Sequence, residues 1–243
     1  MVNVKEWGAR YVGLWQCPWP VRGDADEAAI AALGLPPSPR CNVRLICSYE
    51  EHLAVVRDMI LGARSTIRVL TCYFFATENP HVRMVQDLLP AAANRGVRVR
   101  LMLDALPAQS ALGKARMWGP LTRLAQGRAT RLANRKFYEE TLPAVAASCP
   151  PGTFRLAFFR AADAALGYSI KSHVKAVVVD GRLAVIGGSN MLPTAATGAN
   201  DCDCLVDGAA AEALDGKFRE VWLEQTGEEL PAAGPAAEVA EAV

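Results

Sequence analysis

The 243-residue chain lacks the features that assign a protein to several broad classes at sight. It has no run of about 18 apolar residues and no secretory signal after Met1, so we expect no membrane-spanning helix and a cytoplasmic location. Its net charge is only +1, so the composition as a whole indicates neither a nucleic-acid partner nor a membrane partner.

Cysteine and histidine are present without the spacing of a metal site. The seven cysteines include no C-x-x-C pair, and their odd number is typical of reduced cytosolic thiols. Cys202 and Cys204 lack the usual zinc spacing, only three histidines are available, and no carboxylates cluster as magnesium ligands. We therefore expect no metal and no other cofactor.

Apolar periodicity predicts an α/β domain over residues 41–226. The predicted strands are residues 43–47, 65–75, 97–103, 153–159 and 202–206, and the predicted helices are residues 49–63, 80–94 and 209–223. Strands that alternate with helices favour a mixed but mostly parallel sheet covered by helices on both faces.

The two ends of the chain and one internal segment are less regular. Residues 1–40 form an aromatic-rich extension, in which an amphipathic stripe indicates either a helix packed on the domain or a membrane-interface segment. Residues 227–243, rich in Ala, Pro and Glu, are predicted to be a disordered tail. Residues 105–152 form a basic insertion, because residues 105–138 contain seven cations and no acid. This insertion is either a solvated face or a surface for an anionic substrate.

The stretch from Ser172 to Asn190 has the pattern of a β-hairpin with functional side chains at its open end. Its apolar residues are largely β-branched, and Asp180-Gly181 predicts a two-residue turn that places Gly188 opposite His173. His173 and Lys175 then share one face, since side chains alternate along a strand.

This end of the hairpin has the groups that a phosphodiester requires. Lys175 can neutralise phosphate oxygens, while Asn190 and the backbone N–H groups of Gly187 and Gly188 can donate hydrogen bonds. His173 can attack phosphorus as the neutral imidazole. We expect His52 and His81, which have no lysine two residues further on, to be incidental.

The spacing H-x-K, four residues, D, six residues, G-G-x-N resembles the signature of the phospholipase D superfamily. This resemblance implies a phosphohistidine at His173 and phosphate binding by the residues Lys175, Gly187, Gly188, Ser189 and Asn190. Many members have Ser or Thr where Gly188 stands, so the hydroxyl that they offer to the phosphate is missing here. A glycine pair is found among cardiolipin-synthase-like members, and the strand that ends at Asp104 is also similar to theirs.

Three aspartates need separate interpretations. Asp180 is explained by turn chemistry alone, so we predict a structural role for it. The superfamily places an acid that holds the nucleophilic histidine eleven residues after the asparagine, which implies Asp201 here. Asp203, two residues further on, is the competing candidate.

The resemblance implies a phospholipase D-like lobe that acts as a phosphodiester hydrolase or phosphatidyltransferase on phospholipids, with peripheral contact to the inner membrane. The superfamily uses two histidines, and this chain has one signature. A homodimer, or a second lobe on another chain, would complete the site. The alternatives are a metal-independent dimeric nuclease, which would use the basic insertion to bind nucleic acid, and a catalytically silent lobe that binds anionic lipid.

Overall fold

The computed structural model describes residues 42–71, 80–104, 136–159, 174–188 and 202–233. Its strands are β1 Val43–Ile46, β2 Thr66–Thr71, β3 Arg98–Asp104, β4 Phe154–Phe159, β5 Lys175–Val179, β6 Leu183–Gly187 and β7 Asp203–Asp207. Its α-helices are α1 Tyr49–Gly62, α2 Pro80–Arg83, α3 Leu89–Asn94, α4 Leu142–Ser148 and α5 Gly208–Thr226, with π-helical turns at Met84–Leu88 and Phe137–Thr141. The predicted extension over residues 1–40 lies outside the described residues.

The strands form one mixed sheet in the order β1-β7-β6-β5-β2-β3-β4. Only β2–β3 and β3–β4 are parallel pairs, whereas the four other neighbouring pairs in the described sheet are antiparallel. The prediction of a mostly parallel sheet is therefore wrong. Its cause is that β5, β6 and β7 pair as adjacent antiparallel strands, an arrangement that does not require the helical crossover of parallel strands.

Helices cover both faces of the sheet, so the predicted α/β class is confirmed. On one face, Val69, Leu101 and Val177 pack in a common core with α1 and with the helical segments on either side of β3. On the other face, α5 packs its Trp222 against the side chains of alternate strand residues. None of the helices in the described ranges is both long and apolar enough to cross a bilayer.

The helix predicted from residue 80 is present, but a π-helical turn interrupts it. The N–H of Leu89 donates to the carbonyl of Met84, five residues earlier, directly before Pro90. The same arrangement occurs where the N–H of Leu142 donates to Phe137, directly before Pro143. Proline has no N–H to donate within the helix, and the wider turn accommodates that loss.

The C-terminal part of the predicted basic insertion belongs to the domain core. Phe137, Tyr138 and Leu142 are buried in the same cluster as the sheet. Sequence periodicity did not predict this helix, whereas residues 105–135 lie outside the described residues.

The chain continues to pack on the sheet beyond α5, which ends at Gly227 with a positive φ of 75°. Leu230 is buried against the α5 face. The buried Arg68 donates to the carbonyl of Pro231 at 2.8 Å and forms an ion pair with Asp215 at 2.7 Å. Burial lowers the pKa of Arg68 to about 10 although Asp215 opposes the shift, so the guanidinium stays charged at neutral pH. The predicted tail therefore begins too early at residue 227, and residues 234–243 lie outside the described part.

Candidate functional site

The Asp180-Gly181 turn forms as predicted, but the register of the hairpin differs by one residue. Arg182 N–H donates to the carbonyl of Val179 at 3.1 Å, and both Asp180 and Gly181 have positive φ. Val179 nevertheless pairs with Leu183, which leaves Arg182 as an extra residue. Such a bulge is common beside tight turns. The predicted two-residue turn would place Val179 opposite Arg182, so the predicted register is wrong.

This register also changes which residues face each other at the open end of the hairpin. Lys175 lies opposite Gly187. The predicted pairing of Gly188 with His173 falls outside the described residues, which begin again at Val174. When the register of two paired strands shifts by one residue, each side chain faces a different residue on the neighbouring strand.

Asp180 joins the turn to the loop before β2. Its carboxylate accepts hydrogen bonds from the N–H groups of Arg64, Ser65 and Thr66 at 2.7–2.9 Å, and from the Ser65 hydroxyl at 2.9 Å. Burial by itself raises the pKa of Asp180, but these hydrogen bonds outweigh it and lower the pKa. Asp180 thus connects the turn of the hairpin to the start of β2, at the opposite end from the candidate site.

Lys175 is the functional candidate that the structure places most clearly. It is the first residue of β5, only 5% exposed, and it alternates with Val177 and Val179 on the α1 face. Buried ammonium groups are rare in proteins and need nearby acceptors or anions. The ammonium is therefore positioned at the edge of the core, where β5 begins.

The two glycines of the signature lie beside this lysine. Gly187 is in register with Lys175 on one side and with Asp203 on the other. A Cβ atom on Gly187 would overlap the Asp203 carboxylate and lie 2.6 Å from its Cα, so β7 itself requires glycine here. The N–H of Gly188 donates to the carbonyl of Cys202 at 3.4 Å. Phosphate binding by these two glycines remains a prediction.

Asp203 forms a buried contact that the sequence did not indicate. Its Oδ2 lies 2.7 Å from Nδ1 of His52, and the two residues are 1% and 4% exposed. The sequence suggested that His52 is incidental, but in the structure it forms a buried contact with Asp203. Apolar periodicity predicts a buried stripe of Leu53, Val56, Ile60 and Ala63, whereas α1 buries His52, Val56, Met59 and Ile60. Ser48 caps α1 by accepting from Glu51 N–H, which marks the start of the helix but does not indicate its buried face.

The structure thus brings Lys175, Gly187, Asp203 and His52 together on one face, at one end of three adjacent strands. The remaining predicted site residues, His173, Ser189, Asn190 and Asp201, lie outside the described residues. Within the described ranges, no three His, Cys, Asp or Glu side chains are grouped as metal ligands.

A comparison with protein families identifies the chain. A family model described as the PLD-like domain of cardiolipin synthase matches residues 56–222. The chain belongs to this phospholipase D-like family. The match includes β2 to β7, and with them Lys175, Gly187 and Asp203 of the cluster. His52 lies just before the matched residues. Comparison with characterised protein sequences gave no significant match.

Several solved structures are similar to this chain. Nuc, a phospholipase D family member from Salmonella typhimurium, is 20% identical, with 76% of this chain and 96% of Nuc covered and a TM-score of 0.48. NucT from Helicobacter pylori is 12% identical, with 76% and 98% covered and a TM-score of 0.51. Phosphatidylserine synthase from Haemophilus influenzae Rd KW20 is 17% identical, with 93% of this chain but 47% of the synthase covered and a TM-score of 0.52. The likeness to the last two proteins shows a shared fold.

Proposed function

We propose that the chain is a phosphodiester hydrolase or phosphatidyltransferase that acts on phospholipids through a phosphohistidine at His173. The observation that carries this proposal is the buried Lys175, which faces Gly187 in a chain of the phospholipase D-like family. A buried ammonium at the lysine position of the signature is a charge that can hold a phosphate oxygen. The phospholipid class is supported by the matching family model, which describes a domain of cardiolipin synthase.

The proposed reaction has two displacement steps at phosphorus. His173 attacks phosphorus with its neutral imidazole, a nitrogen–phosphorus bond forms, and the bond to the leaving alcohol breaks as that oxygen takes a proton from a second imidazole. Water or another alcohol then attacks phosphorus and gives its proton to the second imidazole, while the nitrogen–phosphorus bond breaks and releases His173. Water gives hydrolysis and an acceptor alcohol gives transfer. Lys175 and Asn190 hold the phosphate oxygens in both steps.

We propose that the second imidazole comes from His173 of another copy in a homodimer, or from a separate lobe. Asp201 or Asp203 would orient the attacking histidine. Because its substrate is a lipid, the protein would work at the membrane surface, and we place it in the cytoplasm, peripheral to the inner membrane.

The central experiment compares substrates without added metal and with a chelator present. Phosphatidylglycerol vesicles with a labelled headgroup and plasmid DNA are incubated with the wild-type chain, His173→Ala, Lys175→Ala and Lys217→Ala. We expect headgroup release that both site variants lose by at least about a hundredfold, as for other losses of a nucleophile or a phosphate-binding cation. Lys217→Ala is the matched control, because Lys217 is an exposed lysine on α5 that pairs with Glu220.

Rapid quenching of the wild-type reaction then tests the intermediate. Phosphate trapped on His173 supports the mechanism, whereas lipid turnover without any phosphohistidine contradicts it. Cleavage of DNA with no lipid turnover would favour the nuclease alternative. Unchanged binding of vesicles by all four proteins, with neither substrate turned over, would favour a silent lipid-binding lobe.

Mixing wild-type and His173→Ala chains tests the homodimer. If each site needs His173 from both copies, a mixed dimer is inactive, and activity falls with the square of the wild-type fraction after mixing and refolding. Activity that falls only in proportion to the wild-type fraction argues for a second lobe from another chain.

A further inference from the structure

Two cysteines meet at the end of β1 and β7. The strands pair antiparallel, with Ile46 opposite Asp203, and one further step of that register brings Cys47 opposite Cys202. Their sulfur atoms are 3.6 Å apart, and both residues are exposed. Side chains alternate along a strand, so Cys202 and Asp203 belong to opposite faces and the thiols lie outside the candidate site.

The geometry suits a covalent bond between the two sulfurs. Directly opposite residues of an antiparallel pair have Cα atoms about 4.5–5.5 Å apart, which is within the range that disulfides span. The sulfurs need to approach by only about 1.5 Å to reach bonding distance, a change that side-chain rotation can supply. We propose that Cys47 and Cys202 are a reversible modification site, which becomes a disulfide by exchange with a small-molecule disulfide such as oxidised glutathione.

The exchange takes place in two balanced steps. The Cys47 thiolate attacks one sulfur of oxidised glutathione, a mixed disulfide forms, and one glutathione leaves as its thiolate. Cys202 then loses its proton and attacks the Cys47 sulfur, which releases the second glutathione. The two protein thiols are oxidised together, and one glutathione disulfide is reduced to two thiols, which take up the two protons.

The surroundings of Cys202 make the closure depend on pH. Partial burial, and then the contact with Cys47, raise the pKa of Cys202 to about 11. Little of Cys202 is therefore thiolate at neutral pH, so the step in which Cys202 reacts becomes faster as the pH rises.

The bond would fasten two elements that meet at the candidate site. Cys47 directly precedes Ser48, the N-cap of α1, and Cys202 directly precedes Asp203. The helix that carries His52 and the strand that carries Asp203 would thus be joined just before the points where they begin. The closed loop contains most of the domain, so the bond should also stabilise the fold by restricting the unfolded chain.

The test oxidises the folded full-length chain with glutathione disulfide, blocks the remaining thiols and maps the linked peptides. Digestion with a protease that cleaves before aspartate separates Cys202 from Cys204, because Asp203 lies between them. We expect a Cys47–Cys202 link with the loss of two hydrogen atoms, reversed by dithiothreitol. Cys47→Ser and Cys202→Ser should abolish the link. Cys204→Ser, the matched control on the same strand, should retain it.

A second measurement follows unfolding in urea before and after oxidation. We expect the midpoint to rise by about 1 M in the wild-type chain and in Cys204→Ser, with no change in Cys47→Ser. Absence of the Cys47–Cys202 link, or a dominant link that involves Cys204, would overturn the proposal. A complete link that leaves the midpoint unchanged would overturn its stabilising role. None of these readouts depends on the proposed enzymatic activity.

Discussion

The carboxylate of Asp203 lies directly beside Gly187, on the next strand, where no side chain could fit. Gly187 also lies opposite Lys175, so one glycine separates a buried acid from a buried base. Any side chain at residue 187 would have to move β7 as well as the carboxylate, since a Cβ would also lie 2.7 Å from the carbonyl oxygen of Cys202.

We therefore predict that Gly187→Ala destabilises the fold by about 2–3 kcal/mol, as expected for overpacking against backbone. Gly62→Ala is the control, because Gly62 is the last residue of α1 and a Cβ there meets nothing within 4 Å. It should change the free energy of unfolding by less than about 1 kcal/mol. Urea unfolding measures both. Equal effects at the two positions would contradict the close approach of β6 and β7.

The His52–Asp203 contact should be strongly coupled, because it is buried on both sides. Replacing either residue by Ala leaves the other polar group in the core, and we predict a loss of about 3 kcal/mol for each. The double variant should lose at least about 1 kcal/mol less than the sum. Arg57→Ala is the control. It removes an exposed pair with Asp58 and should lower stability by about 0.5 kcal/mol or less. Additive effects in the cycle would show that the two side chains do not interact.

Asp180 should make the stability depend on acid pH. Its pKa is lowered in the folded state, so its charged form contributes stability above the unfolded pKa of about 3.9. That contribution is lost as the pH falls through about 4 towards the folded pKa. We predict that Asp180→Asn lowers stability by about 2 kcal/mol at neutral pH, and that its difference from the wild-type chain narrows below pH 4 or so. Asparagine tolerates the positive φ of 54°, so the backbone is retained. A difference that stays constant from neutral to acid pH would refute the assignment.

The segment after α5 should contribute to stability through Leu230, which is 5% exposed. Leu230→Ala should lower the free energy of unfolding by about 2 kcal/mol, while Glu229→Ala, at an exposed neighbour, should change it by less than about 0.5 kcal/mol. Similar small effects for both variants would mean that the chain leaves the domain at Gly227, as the composition had suggested.

Much of the domain could be predicted from local patterns. The bounds of β1, β3 and β4 and the buried positions Val82, Val85, Leu89 and Ala92 follow the periodicity of the sequence. These elements are regular and carry one apolar face, so short-range information is sufficient for them. The helix at 137–148 was missed because a π-helical turn and Pro143 break its period.

Local patterns were least informative where two distant segments meet. The bulge at Arg182 shifts the hairpin register, and Gly208 N–H, which donates to the Arg182 carbonyl, belongs to the start of α5. The burial of His52 likewise depends on Asp203, which is 151 residues away. No window of the sequence contains both partners, so neither contact could be inferred from spacing.

The sequence by itself determined the family, the turn at Asp180-Gly181 and the placing of Lys175 close to the signature glycines. These features depend on residue type and on spacing between residues that are close together in the sequence. Only the tertiary structure decided the antiparallel order of the sheet, the pairing of Lys175 with Gly187, and the partners of His52 and Cys47. These depend on which strands become neighbours, and that choice is made by burial of the whole apolar surface rather than by any single segment.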